Sequence, residues 1–325
     1  MSAPAADVDG DRDGDRDRDG SVAAVTAAGL IERGRPVLVM LSGGRDSVCL
    51  LDVAVRVAGR DAVSVLHVNY GLRESAAGDE QHCRRLCESL GVELVVRKPR
   101  APTLGNLQAW ARDARYGAAA EITIQRGGVV AVGHTATDQV ETILYRLASS
   151  PSRRALLGMR ARDGALVRPL LDFTREQTAD YCLAHDLGWR DDETNETDKY
   201  ARGRVRHGLV PALRDVHPGA ERNVLALVEI LRDEAVVLDR LVDDVLRGKT
   251  SVTLATLREQ PAALARLVVQ RLADGAQGRP APGCARRLTD ILALSDSGTA
   301  HLDLPNGIRA TAVDGVLAFG LTPIH

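Results

Sequence analysis

Cysteine and aromatic residues are scarce in this chain. The five cysteines (Cys49, Cys83, Cys87, Cys182 and Cys284) are odd in number and form no CxxC pair, which argues against a disulfide framework and a zinc ribbon. Phe, Trp and Tyr make up 3% of the residues and are scattered, so no stacking platform for single-stranded nucleic acid is evident. No signal peptide and no long apolar run is visible. We therefore expect a cytoplasmic protein.

A strong net charge is also absent, since 42 basic and 44 acidic side chains leave a formal charge of −2. Near neutrality neither requires nor excludes nucleic acid, so any binding face must be local. Residues 1–20 form a low-complexity Asp/Arg/Gly tail that cannot bury apolar surface, and we predict that this tail is disordered. The remaining length predicts two domains, 21–217 and 218–325.

The stretch from Val37 to Leu51, VLVMLSGGRDSVCLL, predicts a buried strand, a glycine turn and a helix. Such a turn presents free backbone N–H groups and the positive end of the helix dipole to an anion. The chain contains no GxxxxGK[ST], the loop of P-loop nucleoside triphosphatases, and no GxGxxG, the loop of dinucleotide-binding proteins. The phosphate-binding candidates are the backbone of Gly43 and Gly44 and the hydroxyl groups of Ser42 and Ser47.

Strands and helices alternate after this loop, with strands predicted at 62–68, 92–96 and 129–132. This alternation with short links predicts a doubly wound parallel α/β sheet. In such a sheet, ligands lie beyond the carboxyl ends of the strands. The second strand contains His67 and runs out into Asn69, where its backbone is well placed to hold adenine.

A second motif, GHTATDQVET, begins at the end of the fourth strand. It places His134, Asp138 and Glu141 at i, i+4 and i+7 on one helical face. Carboxylates at this position can hold a metal with its triphosphate, or a cationic amine. The alternative is that the acids only complement the dipole in the first turns of a helix. Beside SGGRDS, the active-site interpretation is favoured.

Two groups of arginines are candidates for phosphate contacts, because guanidinium groups bind phosphate bidentately. Arg112 and Arg115 lie on a predicted helix at 106–125, and Arg202, Arg204 and Arg206 lie in the segment RGRVR. For each of them, simple solvation at the surface is the alternative.

Beyond Pro218 the pattern becomes mainly helical. A long amphipathic helix is predicted at 221–247, with a stripe that is more typical of core than of a binding surface. Further helices are predicted at 261–272 and 285–294, and a short pair of strands at 301–304 and 315–319 ends the chain. This region is the predicted C-terminal helical domain.

Six segments resemble, in order, the motifs of tRNA(Ile)-lysidine synthetases, a family of PP-loop or N-type ATP pyrophosphatases. They are SGGRDS, HVNYGLR, RDARY, GHTATDQVET, RPLL and DETNETDKYARGRVRHGLVP, within residues 36–213. The resemblance implies ATP-dependent ligation of L-lysine to C2 of the wobble cytidine (position 34) of tRNA(Ile) with a CAU anticodon. It further implies an adenylated tRNA intermediate, with AMP and pyrophosphate released, and a change of decoding from AUG to AUA.

The same resemblance assigns roles to the candidate residues. ATP binding is expected at Ser42, Gly43, Gly44, Arg45, Asp46, Ser47, His67 and Asn69. Catalytic roles are expected for Asp46, His134, Asp138 and Glu141. Asp46 is expected either to bind Mg²⁺ or to fix the geometry of the loop. Contacts to tRNA or ATP phosphate are expected from Arg112, Arg115, Arg202, Arg204 and Arg206. The C-terminal domain is expected to help bind tRNA, and a homodimer is one assembly that the sequence leaves open.

Four positions depart from the usual family pattern, and three other functions stay open. Tyr70 replaces a common His, Thr135 and Thr137 replace His and Asp, and Gly203 replaces Asn. A PP-loop tRNA thiolase would need catalytic or cluster-binding cysteines. A small-molecule AMP-forming ligase would lack the RGRVR segment and turn over without RNA. A non-catalytic RNA-binding relative would not need the three candidate carboxylates.

Overall fold

The computed structural model describes residues 12–72, 75–102, 105–150, 153–190 and 201–323, which divide into two compact units, up to Val228 and from Glu229 onward. Of the tail predicted to be disordered, residues 1–11 lie outside the described residues, and the first helix, α1 (Arg12–Ala27), begins within it. Its last turns are anchored by Val25, which is buried in the core. Residues 192–200 of the segment that resembles the family also lie outside the described residues.

A six-stranded sheet forms the centre of the first unit. Its strands are β1 (Val37–Met40), β2 (Val63–Val68), β3 (Glu93–Arg97), β4 (Val129–Ala131), β5 (Arg162–Asp163) and β6 (Leu166–Val167). Their spatial order is β3-β2-β1-β4-β6-β5, and all neighbours are parallel except β5 and β6. The predicted doubly wound parallel sheet is therefore confirmed.

Helices cover both faces of this sheet. They are α2 (Arg45–Ala58), α3 (Ala76–Leu90), α4 (Leu107–Arg126), α5 (Ala136–Ser149), α6 (Arg153–Leu156), α7 (Arg175–Ala184), α8 (Ala201–Arg204) and α9 (Val210–Val216). All four residues of β1 are buried, as expected for a central strand of a parallel sheet. Val39 packs into the core with α1 and α2, whereas Leu38 and Met40 pack against Ile122 of α4 on the other face.

The strand order reverses at β1, which has β2 on one side and β4 on the other. In open α/β sheets, such a switch point leaves a crevice outside the carboxyl ends of the two strands. The segments that leave β1 and β4 at this edge contain the SGGRDS turn and the GHTATD turn. The fold thus brings the two motifs of the sequence together.

The second unit is built on a four-stranded antiparallel sheet. The long helix α10 (Ala220–Leu246) leads to β7 (Ser251–Thr253), α11 (Leu254–Glu259), α12 (Ala262–Gln277), α13 (Leu288–Leu292), β8 (Thr299–Leu304), β9 (Ile308–Val313) and β10 (Val316–Leu321). The spatial order of the strands is β7-β10-β9-β8. None of the described helices of the chain is long and apolar enough to cross a membrane.

The predicted pairing of 301–304 with 315–319 is wrong, because β9 lies between the strands at these positions. Ile308, Ala310 and Ala312 of β9 are fully buried and alternate with more exposed residues. Alanine is depleted in strands, so this strand carried no strong propensity signal. The small side chains of Ala310 and Ala312 lie in the same core as Val268 and Val269 of α12.

Candidate active site

The turn between β1 and α2 is held by its two serines. The Ser47 Oγ donates to the carbonyl oxygen of Gly44 at 2.8 Å and lies 3.0 Å from the Ser42 Oγ. The backbone N–H of Ser42 donates to the Ser47 Oγ at 3.2 Å. Gly44 is the N-cap of α2, and no side chain caps this helix end. The N-terminus of α2 is therefore suited to an anion rather than occupied by a side-chain acceptor.

Two glycines allow the neighbouring segments to approach this turn closely. Gly43 has a φ of +90°, and a Cβ at this position would lie 3.3 Å from the Cys83 Sγ. A Cβ on Gly133 would lie 2.9 Å from the carbonyl oxygen of Asp46. Side chains at these positions would push the SGGRDS turn away from α3 and from the end of β4.

Asp46 lies in the first turn of α2 and is oriented by α7. Its Oδ1 accepts hydrogen bonds from the Thr178 Oγ1 at 2.5 Å and from the Arg45 Nε at 3.2 Å. The Arg175 Nε lies 3.7 Å from its other oxygen. Because α7 supplies two of these contacts, the position of the carboxylate depends on a helix far away in the sequence.

The two carboxylate oxygens of Asp138 have different partners: one caps helix α5 and the other faces arginines of the candidate site. Its Oδ2 accepts from the backbone N–H of Thr135 at 3.0 Å and forms the capping box of α5 with that N-cap residue. Its Oδ1 lies 3.4 Å from both Arg175 and Arg202. Burial raises the pKa of the Asp138 carboxyl, but Arg202 and Arg175 outweigh burial and hold the pKa below its usual value. The helix-end role and the active-site role thus coexist in this residue.

Glu141 is fully buried one turn further along α5. The Arg206 guanidinium binds it bidentately, from Nε to Oε1 at 2.6 Å and from Nη2 to Oε2 at 3.0 Å. Arg202 donates to the same carboxylate at 3.4 Å, and Arg175 lies 3.8 Å away. A buried carboxylate requires such partners, since an unpaired ion would be strongly destabilised there.

We call these six residues the carboxylate cluster: Asp46, Asp138, Glu141, Arg175, Arg202 and Arg206. Arg175 is within ion-pair distance of all three carboxylates, so it links the SGGRDS turn with the GHTATDQVET helix. The sequence-based expectation placed Arg202 and Arg206 on phosphate, whereas the structure places both against carboxylates. Arg204 of the same segment is exposed.

His134 lies between β4 and the N-cap Thr135 of α5, so the prediction that it shares a helical face with Asp138 and Glu141 is wrong. Its side chain is largely buried. Burial lowers its pKa to about 4; the nearby Asp138 opposes this shift, while Arg202, Arg168 and Arg115 add to it. The imidazole is therefore neutral at physiological pH. Its buried Nδ1 has no hydrogen-bond partner among the residues that the structure describes.

A second group of arginines lies near His134, and we call it the arginine patch: Arg112, Arg115, Arg146 and Arg168. The guanidinium groups of Arg112 and Arg115 lie 4.9 and 5.4 Å from the centre of the Tyr116 ring. Burial lowers the pKa of Arg168; Tyr116 and the more distant Asp163 oppose this shift, while the positive charges of Arg112 and Arg146 add to it. Within the described parts of the chain, no carboxylate forms a salt bridge with these four residues.

The patch also contains polar atoms without partners. The Arg115 Nε, the Arg168 Nε and the Tyr116 hydroxyl are buried and make no hydrogen bond within the described ranges. Arg168 is 7% exposed and donates from Nη1 to the carbonyl oxygen of Arg160 at 2.6 Å. Donors and positive charge without an acidic partner are the features of an anion site.

The structure gives His67 and Asn69 contacts within the protein. The His67 ring is buried and its Nδ1 lies 2.9 Å from the carbonyl oxygen of Leu41. The Asn69 amide donates to Glu80 at 2.8 Å and accepts from the backbone N–H of Gly71 at 2.9 Å. These side chains support the segments beside the SGGRDS turn, and ATP binding by them stays a prediction.

The sequence-based interpretation missed Arg146, Arg168, Arg175 and Thr178 as site residues. A signal for two of them exists, because Thr174 and Gln177 form a capping box that places the start of α7 at this point. Arg175 and Thr178 then share one face at i and i+3. Thr137, one of the departures from the family pattern, accepts the backbone N–H of Arg175 at 3.3 Å. That a helix so distant in sequence would face Asp46 could not be read from local patterns.

Within the described residues, no group of three or more His, Cys, Asp or Glu side chains could alone hold a metal ion. The three carboxylates are bridged by arginines rather than converging on one point. Mg²⁺ usually takes one or two carboxylates together with substrate phosphates and water. Asp46, within the SGGRDS motif, fits that mode as a single protein ligand.

Comparison with known proteins shows which family the chain belongs to. The model of the PP-loop domain matches residues 21–213. The tRNA(Ile)-lysidine synthase of Thermobifida fusca is 33% identical over 294 residues, which is 87% of this chain and 90% of that protein. The enzyme of the same name from Geobacter sulfurreducens is 32% identical over 311 residues, 90% of this chain and 66% of that protein.

A solved structure supports the fold alone. The U34-tRNA thiolase NcsA from Methanococcus maripaludis has a TM-score of 0.56 at 14% identity, covering 67% of this chain and 80% of that one. The chain spans about half to two thirds of the first curated relatives, 66% for the Geobacter protein and 47% for one from Pseudomonas fluorescens. Because the PP-loop model covers more than half of the sequence, and the Thermobifida protein aligns over most of both chains, this chain belongs to the tRNA(Ile)-lysidine synthase family of PP-loop proteins.

Proposed function

We propose that this protein is an AMP-forming ligase that attaches L-lysine to C2 of the wobble cytidine of tRNA(Ile) with a CAU anticodon. The observation that carries the proposal is the carboxylate cluster, which lies beside a pyrophosphate-type turn at the switch point of a PP-loop sheet. Buried carboxylates next to a phosphate site suit a reaction that joins an amine to an activated nucleotide. The names of the relatives support the same reaction.

In the first step, the C2 carbonyl oxygen of the cytidine attacks the α-phosphorus of ATP, and the bond to the β-phosphate oxygen breaks. Negative charge grows on the departing pyrophosphate. The N-terminus of α2 and the hydroxyls of Ser42 and Ser47 are placed to stabilise that charge. Mg²⁺ held at Asp46 would neutralise part of the charge of the triphosphate.

In the second step, the lysine ε-amine forms the bond to C2 and AMP leaves with the former carbonyl oxygen. An ammonium group is not a nucleophile, so a nearby base must accept a proton. Asp138 and Glu141 are the proposed binding residues for the amine, and either of them or a phosphate oxygen can take the proton. The neutral His134 can donate one hydrogen bond, and we assign it to orienting the base or the α-phosphate.

The tRNA is proposed to contact the arginine patch. None of its four guanidinium groups forms a salt bridge with a carboxylate in the described residues, and phosphate oxygens can accept from the buried Nε donors of Arg115 and Arg168 that have no partner there. Arg204 is exposed next to the carboxylate cluster and is proposed as a further contact to the backbone of the tRNA. The second unit, from Glu229 onward, is proposed to contribute to tRNA binding, as in the sequence-based expectation.

The burial of the cysteines speaks against the thiolase alternative. All five cysteines are free and buried. Burial raises the pKa of Cys83 and of Cys87 to about 12, which disfavours the thiolate that sulfur chemistry needs. The lysine-ligation function requires no reactive thiol.

The test is AMP release from ATP by the purified protein, with tRNA(Ile) bearing a CAU anticodon and radiolabelled lysine each omitted in turn. We expect lysine to become attached to the tRNA only when all three substrates are present, with one AMP formed per lysine attached. AMP formation that depends on a small molecule but not on tRNA would favour the small-molecule ligase. Absence of AMP under every condition would point to a non-catalytic RNA-binding role.

A further inference from the structure

Arg175 occupies the centre of the carboxylate cluster. Its guanidinium lies 3.7 Å from Asp46, 3.4 Å from Asp138 and 3.8 Å from Glu141. No other arginine of the cluster is within ion-pair distance of all three carboxylates in the described part of the chain. This cation therefore lies between the three carboxylates, a position that also favours a substrate ammonium group.

Arg175 is held more loosely than its neighbour Arg206. Arg206 binds Glu141 bidentately at 2.6 and 3.0 Å, and this pairing helps raise the pKa of its guanidinium despite burial. The Arg175 contacts are all longer, and its buried Nε makes no hydrogen bond within the described residues. The side chain thus compensates charge without the geometry of a tight pair.

The backbone of Arg175 is fixed although its guanidinium is loosely held. Its N–H donates to the Thr137 Oγ1, and the capping box of Thr174 and Gln177 sets the start of α7. The Arg175 Nε lies 3.7 Å from Asp46, which belongs to the SGGRDS motif and to the first turn of α2. A small change of side-chain rotamer therefore suffices to turn the guanidinium from the carboxylates to phosphate oxygens bound at that loop.

Movement of the Arg175 guanidinium from the carboxylates to phosphate would change the net charge of the cluster. Three carboxylates face three guanidinium groups, so an ammonium group added to the cluster would meet compensated charge. A triphosphate bound at the SGGRDS turn offers Arg175 a stronger acceptor. Once Arg175 turns to it, the three carboxylates face only Arg202 and Arg206, and the cluster has one uncompensated negative charge for the amine.

We propose that Arg175 is a positioning residue that couples the two substrates, so that the lysine ε-ammonium binds the carboxylate cluster tightly only after a nucleotide has drawn the guanidinium away. The inference rests on the proposed function, since it takes lysine as the amine. By linkage, the coupling is reciprocal: bound lysine tightens nucleotide binding by the same factor. The consequence is that free lysine does not occupy the site of an enzyme without ATP.

The experiment is equilibrium dialysis of radiolabelled lysine against the full-length protein with the tRNA(Ile) transcript, with and without α,β-methylene ATP, which cannot be cleaved between its α and β phosphates. For the wild type we expect the analogue to tighten lysine binding by at least about tenfold, a typical coupling between sites. We call the factor by which the analogue lowers the Kd of lysine the coupling ratio. In Arg175→Met, lysine should bind without the analogue, and the coupling ratio should be no more than about two.

Two variants serve as controls. Arg175→Lys keeps a cation at the position and should restore most of the coupling. Arg202→Met also removes a guanidinium from Asp138 and Glu141 but leaves Arg175 in place, so its coupling ratio should stay near that of the wild type. A purely structural role of Arg175 would change the amount of folded protein but not this ratio.

A wild-type ratio near one overturns the inference without any variant, and so does a ratio in Arg175→Met equal to that of the wild type. The AMP-release assay separates this failure from failure of the proposed function. If the wild type attaches lysine to the tRNA and yet shows no coupling, only the role of Arg175 falls. If it neither binds lysine nor attaches it, both proposals fall.

Discussion

Two groups of arginines lie near the carboxyl ends of β1 and β4, and their surroundings differ. In the carboxylate cluster, each of the three guanidinium groups faces at least one carboxylate. In the arginine patch, four guanidinium groups lie around Tyr116 and His134 without a described acidic partner in a salt bridge. The first group compensates charge that a cationic substrate needs, and the second leaves positive charge for an anion.

The pKa shifts follow the same division. Beside Glu141, the pKa of the Arg206 guanidinium is raised although burial acts against it. In the arginine patch, burial and neighbouring positive charges lower the pKa of Arg146 and of Arg168. Residue type and net charge alone therefore do not separate a binding site for an amine from one for phosphate; the neighbouring side chains decide it.

The largest expected effect comes from Asp46→Asn. The substitution removes one negative charge from the carboxylate cluster, so that positive charge is in excess there, as it is in the arginine patch. AMP formation should fall by roughly a thousandfold, as when a preorganised electrostatic group is lost. The matched control is Asp52→Asn on the same helix, because Asp52 is buried and bonds to Arg56 and Tyr181 instead of the cluster. Its turnover per folded molecule should be normal, and near-normal turnover by Asp46→Asn would remove Asp46 from the mechanism.

A pH titration probes the histidine that lies near both groups. Because burial lowers the pKa of His134 from 6.5 to about 4, the unfolded chain binds this proton at a higher pH than the folded chain. The free energy of unfolding should therefore decrease as the pH falls from about 6.5 to about 4, by up to about 3 kcal/mol. Urea denaturation across this range measures it. His134→Asn should flatten the curve, whereas the exposed His301→Asn should not; equal slopes in all three proteins would contradict the assignment.

Arg168→Met tests the arginine patch. The substitution keeps much of the buried volume and removes a guanidinium whose pKa is already lowered by burial. We expect tRNA affinity to decrease by about tenfold, the value of one hydrogen-bonded charge. Filter binding at several KCl concentrations should also show a salt dependence reduced by about one contact. Unchanged affinity and slope would mean that the patch does not bind tRNA.

The smallest effect, on tRNA affinity, is expected for Arg204→Ala, because Arg204 is exposed to solvent. Loss of one solvent-exposed phosphate contact should weaken tRNA binding about threefold and lower the salt slope by about one. The control is Arg214→Ala, since that guanidinium pairs with Glu221 and should not contact tRNA. A larger loss in the control than in Arg204→Ala would contradict the proposed location of the tRNA.

Local patterns predicted the parts of the site that are continuous in sequence. The SGGRDS turn, the parallel sheet and the shared face of Asp138 and Glu141 follow from apolar runs, glycines and helical spacing. His134 was wrongly placed on that face, because helical spacing was extended across the N-cap Thr135 into the turn that precedes α5. The strand β9 was missed because its inward positions include alanines, which carry little strand propensity. Arg175 and Thr178 were missed for a different reason. Their contacts to Asp46 cross more than a hundred residues, and only the packing of α7 against α2 creates them.

The central claim is that this protein forms lysidine at the wobble position, and nucleoside mass spectrometry tests it most directly. A tRNA(Ile) transcript with a CAU anticodon would be incubated with ATP, Mg²⁺, lysine and either the wild type or Asp46→Asn, then digested to nucleosides. We predict that the wild type converts one cytidine per tRNA to lysidine, that replacing C34 by U abolishes the product, and that Asp46→Asn yields almost none. Absence of lysidine from the digest after incubation with folded wild-type protein would contradict the account.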